Sequence, residues 1–261
     1  MSKLSAYVLT FNEEEKIRGA LESITWTDEI VVLDSHSTDR TEQICREYTD
    51  KVYQCDFAGF GKLRNRALEL VTHDWVLSID ADERATDELR EEIQTELASG
   101  PRADAFFVPR KNFFLGRWIR HCGWYPDYRQ PQFFNKHRLR YRDDLVHEGF
   151  DVMGRADYLR GHVLQYPFRD LGEYLRKMSR YSTLMAEQMA SRGRRFHVHQ
   201  LVTHPIFTFI KMYGLRQGFR DGMPGLILSL LYAYYTFVKY AKLWERTPPP
   251  PQVGRVREGV V

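Results

Sequence analysis

The chain has 261 residues, 43% hydrophobic and 28% charged, enough to bury a real core and too apolar for a disordered segment. Its net charge of +3 is small and unevenly spread, and no nucleic-acid partner is expected. Cys45, Cys55 and Cys122 form no C-x-x-C pair, which argues for a reducing compartment and against a zinc site or disulfide framework.

Leu4 to Leu9 reads as a buried strand. Glu13 to Ser23 has apolar residues at helical spacing, with Asn12 as the expected N-cap. A second strand runs from Glu29 to Leu33 and ends at Asp34. After the polar loop Ser35 to Asp39, Asp39 or Thr41 caps a helix reaching about Tyr48. Lys51 to Gln54 is a short third strand, Gly59-Phe60-Gly61 a turn, and Lys62 to Val71 a basic amphipathic helix. Trp75 to Ile79 is the fourth strand and Thr86 to Leu97 another helix, capped by Thr86. Four strand-then-helix units in sequence predict an α/β fold, a parallel sheet with helices on both faces.

Beyond Gly100-Pro101 the pattern changes. Ala105 to Val108 is a fifth strand, and Asn112 to Tyr128 is aromatic, Gly- and Pro-containing and not helical. Gln132-Phe133-Phe134 and Val146-His147-Glu148 suggest short strands around the basic turn Lys136 to Arg140. From Leu171 the reading is helical: Gly172 to Ala190, His204 to Gly218 and Gly225 to Trp244, with a basic break at residues 192–195. Thr247 to Val261, with four consecutive prolines, reads as a disordered tail.

The run Trp75 to Ile79 ends in Asp80 and Asp82. Alternation along an extended chain aims both carboxylates to one side, where two hard oxygen donors can hold Mg²⁺ or Mn²⁺ against a diphosphate. A polar turn, with Asp82 capping the next helix, is the plainer alternative. Asp34 and Asp39 also fall at or just after a strand's carboxyl end. Four such carboxylates need cations or donors to offset their burial. Neither G-x-x-x-x-G-K-[ST] nor G-x-G-x-x-G occurs, so P-loop and dinucleotide-binding readings fail.

The segments VLTFNEEEKI, IVVLDSHSTDRT, FGKLRNRAL and WVLSIDADE, in this order, resemble the family 2 inverting glycosyltransferases of the GT-A fold. WYPDY, LVHEGF and the late RQGFRDGMPGLILSLLYAYYTFVKYAKLWE extend the likeness to the bacterial lipopolysaccharide core glucosyltransferase group. The resemblance implies a Rossmann-like mixed sheet flanked by helices, with C-terminal amphipathic helices. It implies a catalytic domain over 1–168 (nucleotide half 1–100, acceptor half 101–168), a helical membrane-associating region over 169–246 and a tail over 247–261.

By the same resemblance Thr10, Asn12 and Glu14 line the nucleotide end of the first strand. Asp34 binds the base, and Lys62 or Arg64 lies near the nucleotide. Asp80 and Asp82 are the metal-binding D-x-D, with Glu83 beside them or merely at the surface. The donor is a nucleotide sugar, UDP-linked by family expectation. The reaction is a single displacement needing a general base on the acceptor side and a metal at the departing diphosphate. Glu148 is the first choice of base and Asp127 the second. His147, Arg129 and Trp124 are placed at the acceptor or phosphates. Trp118, Trp124, Tyr125 and Tyr128 either stack on sugar faces or form a small core. After WYPDY an R-L-F type run is expected. The chain has Arg129-Gln130-Pro131-Gln132-Phe133-Phe134 instead, leaving Arg129 to serve.

Residues 222–238 carry no formal charge and are flanked by Arg216, Arg220, Lys239, Lys242, Trp244 and Arg246. This pattern suits a membrane interface better than a span. With no signal peptide read at the start, the expected location is cytoplasmic, peripheral on the inner membrane, with a glycolipid or glycan acceptor. A polyprenyl-phosphate acceptor is the enzymatic alternative, and a nucleotide-sugar-binding assembly protein without turnover is the alternative of another class.

Overall fold

The computed structural model describes residues 2–142 and 149–246. Residues up to Pro167 form one compact unit and those from Phe168 another. The first unit begins with β1 (Leu4–Thr10), α1 (Ile17–Glu22), β2 (Glu29–Asp34), α2 (Thr41–Cys45), β3 (Val52–Gln54), α3 (Phe60–Leu70) and β4 (Trp75–Asp80). β1 pairs in parallel with β2 and with β4, and β2 in parallel with β3. After β3 the chain crosses to the far side of β1, so the connection reverses between β1 and β4. An open α/β sheet leaves its ligand crevice at such a reversal, beyond the carboxyl ends of the strands.

The chain continues through β5 (Glu83–Ala85), α4 (Asp87–Ser99), β6 (Ala105–Phe107), β7 (Arg110–Phe114), β8 (Arg117–Trp118), β9 (Pro131–Asn135), β10 (Leu139–Tyr141), β11 (Phe150–Val152), β12 (Ala156–Tyr158) and β13 (Val163–Gln165). β9 inserts antiparallel between β4 and β6, giving a seven-stranded mixed sheet in the order β12-β6-β9-β4-β1-β2-β3. A four-stranded sheet, β5-β13-β7-β8, and the pair β10-β11 complete the unit. This is the mixed α/β architecture that the resemblance implies, rather than an all-parallel sheet.

Alternation along the strands divides the core. Leu4, Ala6, Val8, Leu77 and Ile79 face Ile17 and Leu21 of α1 and Leu89 and Ile93 of α4. Tyr7, Leu9, Val31, Leu33 and Val76 face Leu63 and Ala67 of α3. The same period places Ser78 and Asp80 on the α3 side of β4.

Several elements differ from the sequence expectation. The first helix starts at Ile17, with Lys16 at its N-cap, and not at Glu13 behind Asn12. Asn12 has φ 52°, and its side chain serves a neighbouring loop instead. The second helix ends at Cys45 rather than Tyr48, and the third opens at Phe60, inside the expected turn. Asp82 caps no helix: β5 intervenes, and Thr86 caps α4 by accepting from Leu89 N at 3.3 Å. The strand expected at Val146-His147-Glu148 and the tail 247–261 lie outside the described residues.

The second unit contains α5 (Leu171–Ser191), α6 (Gln200–Phe209) and α7 (Gly222–Glu245). Asp170 caps α5 by accepting from Glu173 N at 2.7 Å. The helix expected from His204 to Gly218 begins at Gln200 and passes into a π-helical segment at Ile210–Leu215. α5 and α7 pack through Ala186, Met189, Tyr240 and Leu243. Lys242 Nζ ties them by donating to Ser179 O at 2.8 Å, Ser182 Oγ at 2.9 Å and Thr183 Oγ1 at 2.8 Å. No helix among the described residues is long and apolar enough to cross a membrane.

Candidate active site

The carboxyl ends of β1, β2 and β4 lie side by side, with Thr10 opposite Asp34 and Leu9 opposite Asp80. Asp34 is fully buried. It accepts from Ser37 N at 2.9 Å, from Gln54 Nε2 at 2.9 Å and from the Ser37 hydroxyl. The left-handed backbone of Asn12 turns its Oδ1 to Thr38 N, 2.8 Å away, while its own N–H donates to Ser37 Oγ at 2.8 Å. Glu14 Oε2 accepts from Arg40 N and Nε, both at 3.1 Å. Asp39 accepts from Glu14 N at 3.2 Å and Thr41 N at 3.0 Å. Burial opposes its ionisation, but the bonds from Thr41 and Glu14 outweigh it and hold the carboxyl below its usual range. The loops after β1 and β2 are thus sewn together by the residues singled out as nucleotide-binding. Thr10 Oγ1 is buried and has no partner among the described residues.

α3 presents Arg64 to the end of β4, whereas Lys62 is exposed. Arg64 is buried and donates to Ser78 Oγ at 3.0 Å and Asp80 Oδ1 at 2.9 Å. Desolvation works against the Asp80 charge, but Arg64 first and Arg110 next pull its carboxyl below the usual range. Asp80 Oδ2 accepts no hydrogen bond among the described residues.

The strand ends at Asp80, so the alternation rule stops there. Asp82 lies in the following turn, on the β13 side, with Gln165 Nε2 3.4 Å from its Oδ2. Glu83 is neither at the surface nor loosely placed: it is fully buried. Its carboxylate meets Arg110 Nε at 2.5 Å, Gln132 Nε2 at 2.8 Å and the Asp80 N–H at 3.0 Å. Burial, reinforced by Asp80 and Asp82, pushes the Glu83 carboxyl up to about 7 against the pull of Arg110. Burial also opposes the Arg110 charge, but Glu83 keeps it protonated.

Asp127 is joined to this cluster. Its carbonyl accepts from Arg110 N at 3.2 Å, and its Oδ2 accepts from Asn112 Nδ2 at 3.2 Å and Arg129 Nε at 2.9 Å. Trp124 packs edge-on against Phe114 with centroids 6.2 Å apart, and its carbonyl accepts from Asn112. Tyr125 and Trp118 are edge-on at 5.2 Å. The structure therefore brings Arg64, Asp80, Asp127 and Arg129 into one neighbourhood. Glu148 and His147 lie outside the described residues.

Ser37, Gln54, Glu83 and Arg110 form site bonds that sequence reasoning did not single out as such. The polar loop Ser35 to Asp39 was a usable signal for Ser37; nothing local marks Arg110. Among the described residues no group of three or more His, Cys, Asp or Glu side chains is placed to hold a metal. Two hard carboxylates, those of Asp80 and Asp82, suit Mg²⁺ or Mn²⁺ sharing its coordination with phosphates and water. A groove lined by Glu88, Glu91, Glu92, Lys111, Arg160 and His162 lies along α4, apart from these strand ends.

Acidic groups balanced by buried guanidiniums stand at the switch point of the sheet, where open α/β folds place their ligand crevice. The chain belongs to glycosyl transferase family 2, whose sequence profile matches residues 5–160. It is 30% identical over 254 residues to the lipopolysaccharide core biosynthesis glycosyltransferase LpsC of Rhizobium meliloti, covering 93% of this chain and 92% of LpsC. It is 29% identical over 265 residues to an uncharacterised glycosyltransferase of Rickettsia typhi, covering 94% of this chain and 88% of that one. Among solved structures, Staphylococcus aureus TarS 1–349 in complex with UDP-GlcNAc aligns with TM-score 0.48 and 16% identity, over 92% of this chain and 89% of TarS 1–349.

Proposed function

We propose that this family 2 glycosyltransferase moves glucose or a related hexose from a UDP-linked donor to a lipopolysaccharide core sugar. The reaction is a single displacement with inversion. The observation carrying this reading is the convergence of Thr10, Asp34 and Asp80 at the β1–β4 switch point, with Asp80 held ionised by Arg64. Its likeness to LpsC supports the acceptor class.

Thr10, Asn12, Glu14 and Asp34 take the nucleoside end, and Arg64 steadies Asp80 beside the ribose and phosphates. Asp80 and Asp82 hold Mn²⁺ or Mg²⁺, which when bound offsets the charge of the departing diphosphate. Glu148 accepts the proton of the attacking hydroxyl. The Asp127 carboxylate is already engaged by Arg129 and Asn112, which supports that choice. His147, Arg129 and Trp124 contact the acceptor or the phosphates.

The acceptor is met at the cytoplasmic leaflet. Residues 168–246 carry thirteen Lys and Arg against five Asp and Glu. α6 exposes Val202, Ile206 and Phe207, and α7 exposes Met223, Leu230, Tyr234, Phe237 and Trp244. Apolar stripes within a cationic unit suit an anionic lipid surface.

Thermal unfolding with a panel of nucleotide diphosphates and nucleotide sugars, with and without Mn²⁺, tests the donor. A metal-dependent rise in melting temperature with UDP and UDP-sugars is expected; no rise with any nucleotide overturns it. Transfer to a core oligosaccharide supports the acceptor. Transfer to polyprenyl phosphate alone moves it to the lipid-phosphate class, and binding without any transfer leaves a non-catalytic assembly role.

A further inference from the structure

We propose that the buried Glu83–Arg110 ion pair is a positioning strut that holds the D-x-D turn and the Tyr125–Tyr128 segment in fixed relation. This rests on the donor and acceptor reading given above.

The chain of contacts is continuous. Glu83 Oε2 accepts from the Asp80 N–H at 3.0 Å, which fixes the peptide where β4 turns. Glu83 Oε1 meets Arg110 Nε at 2.5 Å. The Arg110 N–H donates to the Asp127 carbonyl at 3.2 Å, in an isolated antiparallel bridge. Two residues along β7, Asn112 Nδ2 donates to Asp127 Oδ2 at 3.2 Å and to the Trp124 carbonyl at 3.1 Å. Gln132 of β9 braces the carboxylate from the sheet at 2.8 Å. Segments far apart in the chain therefore share one buried junction.

Stability alone is a poor reason for this junction. Desolvating two charges offsets most of their attraction, and apolar replacement of such pairs is often neutral or stabilising. Glu83 and Arg110 are 0% and 1% exposed. The junction also leaves Arg110 Nη1, Gln132 Oε1 and Asn112 Oδ1 buried without a partner among the described residues. Each carries a desolvation cost that a junction built only for stability would avoid. What the pair provides is direction. Charge-assisted bonds fix the backbone at Asp80 and the segment that carries Asp127, and a misplacement of about 1 Å at reacting groups can lower a rate by about 10².

The test uses the full chain with Glu83→Asp and with the double variant Glu83→Gln/Arg110→Met. Glu83→Asp keeps the charge beside Arg110 but shortens its reach to Asp80. The double variant removes both charges. Calorimetric titration with UDP in Mn²⁺ should give at least a tenfold loss of affinity in each, with melting temperatures close to the parent. Affinity within twofold of the parent in either variant overturns the proposal. Hydrogen exchange on the ligand-free protein is the second readout. Glu83→Asp should speed exchange at both the Asp80 and Arg110 amides, and a change at Asp80 alone refutes the coupling. A parent that binds no UDP would overturn the donor reading, while the exchange result would still decide the strut.

Discussion

Arg64 Nη2 lies 2.9 Å from Asp80 Oδ1, so the first carboxylate of the D-x-D rests on a cation from a neighbouring helix. The same guanidinium donates to Ser78 Oγ at 3.0 Å and sits 5.6 Å from the centre of the Tyr141 ring. It can neither swing away nor be replaced by a flexible ammonium without losing that fork of contacts. Half of the D-x-D is thereby oriented before any ligand arrives.

Arg64→Met should therefore act on stability and on binding together. Removing one member of a mostly buried pair costs about 2 kcal/mol, after discounting for the partial exposure of Asp80. In a unit of this size that lowers the melting temperature by roughly 4–8 °C. UDP affinity in Mn²⁺ should fall at least tenfold. A variant that melts lower but binds UDP like the parent would leave Arg64 with a packing role only.

Asp82→Ala separates the two carboxylates. Gln165 Nε2 lies 3.4–3.5 Å from the Asp82 carboxylate oxygens, too long for a strong bond, so losing this contact should change the melting temperature little. Metal-dependent nucleotide binding should be lost. Titration of the variant with UDP in Mn²⁺ checks this, and undiminished binding removes Asp82 from the proposed metal site.

The parts of this fold legible in the chain were those with a local signal. Leu4 to Leu9, Glu29 to Leu33 and Trp75 to Ile79 are apolar runs of strand length, and each ends at or next to a polar residue of the site. Asn12, followed by three glutamates, looks like a helix start, whereas its side chain accepts from Thr38 N, twenty-six residues on. Glu83 reads as either site or surface because nothing near it in sequence shows β5 pairing with β13, beside β7. β5 and β13 are three residues long and pair only with distant strands, so no periodicity marks them. Arg110 has the same origin: a cation in a short strand reads as solvent-facing until the buried partner is known.

Glu29 provides a pH-dependent test of the sheet. Burial alone would raise its carboxyl; Lys51, Ser5 and Thr72 bind it strongly enough to bring it down from 4.5 to about 2. The unfolded chain therefore holds more protons between those values. The Glu29 contribution rises with pH from about 2 to 4.5, is complete above that, and is lost as acid protonates the folded state. Urea unfolding of the parent and Glu29→Gln should show a stability gap that widens from pH 2.5 to pH 6. A gap independent of pH would mean that the carboxyl is not held down.

Gly161 marks a backbone contact no side chain fits. A Cβ there would lie 2.3 Å from Leu89 Cα and 2.5 Å from Leu89 N at the start of α4. Backbone cannot yield as a flexible side chain does, so Gly161→Ala should cost about 1–3 kcal/mol, shown by a lower thermal midpoint with UDP binding retained at low temperature. An unchanged midpoint would mean that α4 shifts freely.

The choice of general base is decided by two conservative variants. Glu148→Gln keeps size and polarity but cannot take up a proton at neutral pH. It should bind UDP in Mn²⁺ like the parent and lose transfer by at least 10²-fold. Asp127→Asn is expected to be milder. The lost carboxylate already accepts from Arg129 Nε at 2.9 Å and Asn112 Nδ2 at 3.2 Å, contacts that occupy it and orient its loop. A smaller fall in turnover, with weaker acceptor saturation, is the outcome that fits a positioning role. If Asp127→Asn abolishes transfer while Glu148→Gln stays active, the proton goes to Asp127, and Arg129 must then move away from it during the reaction.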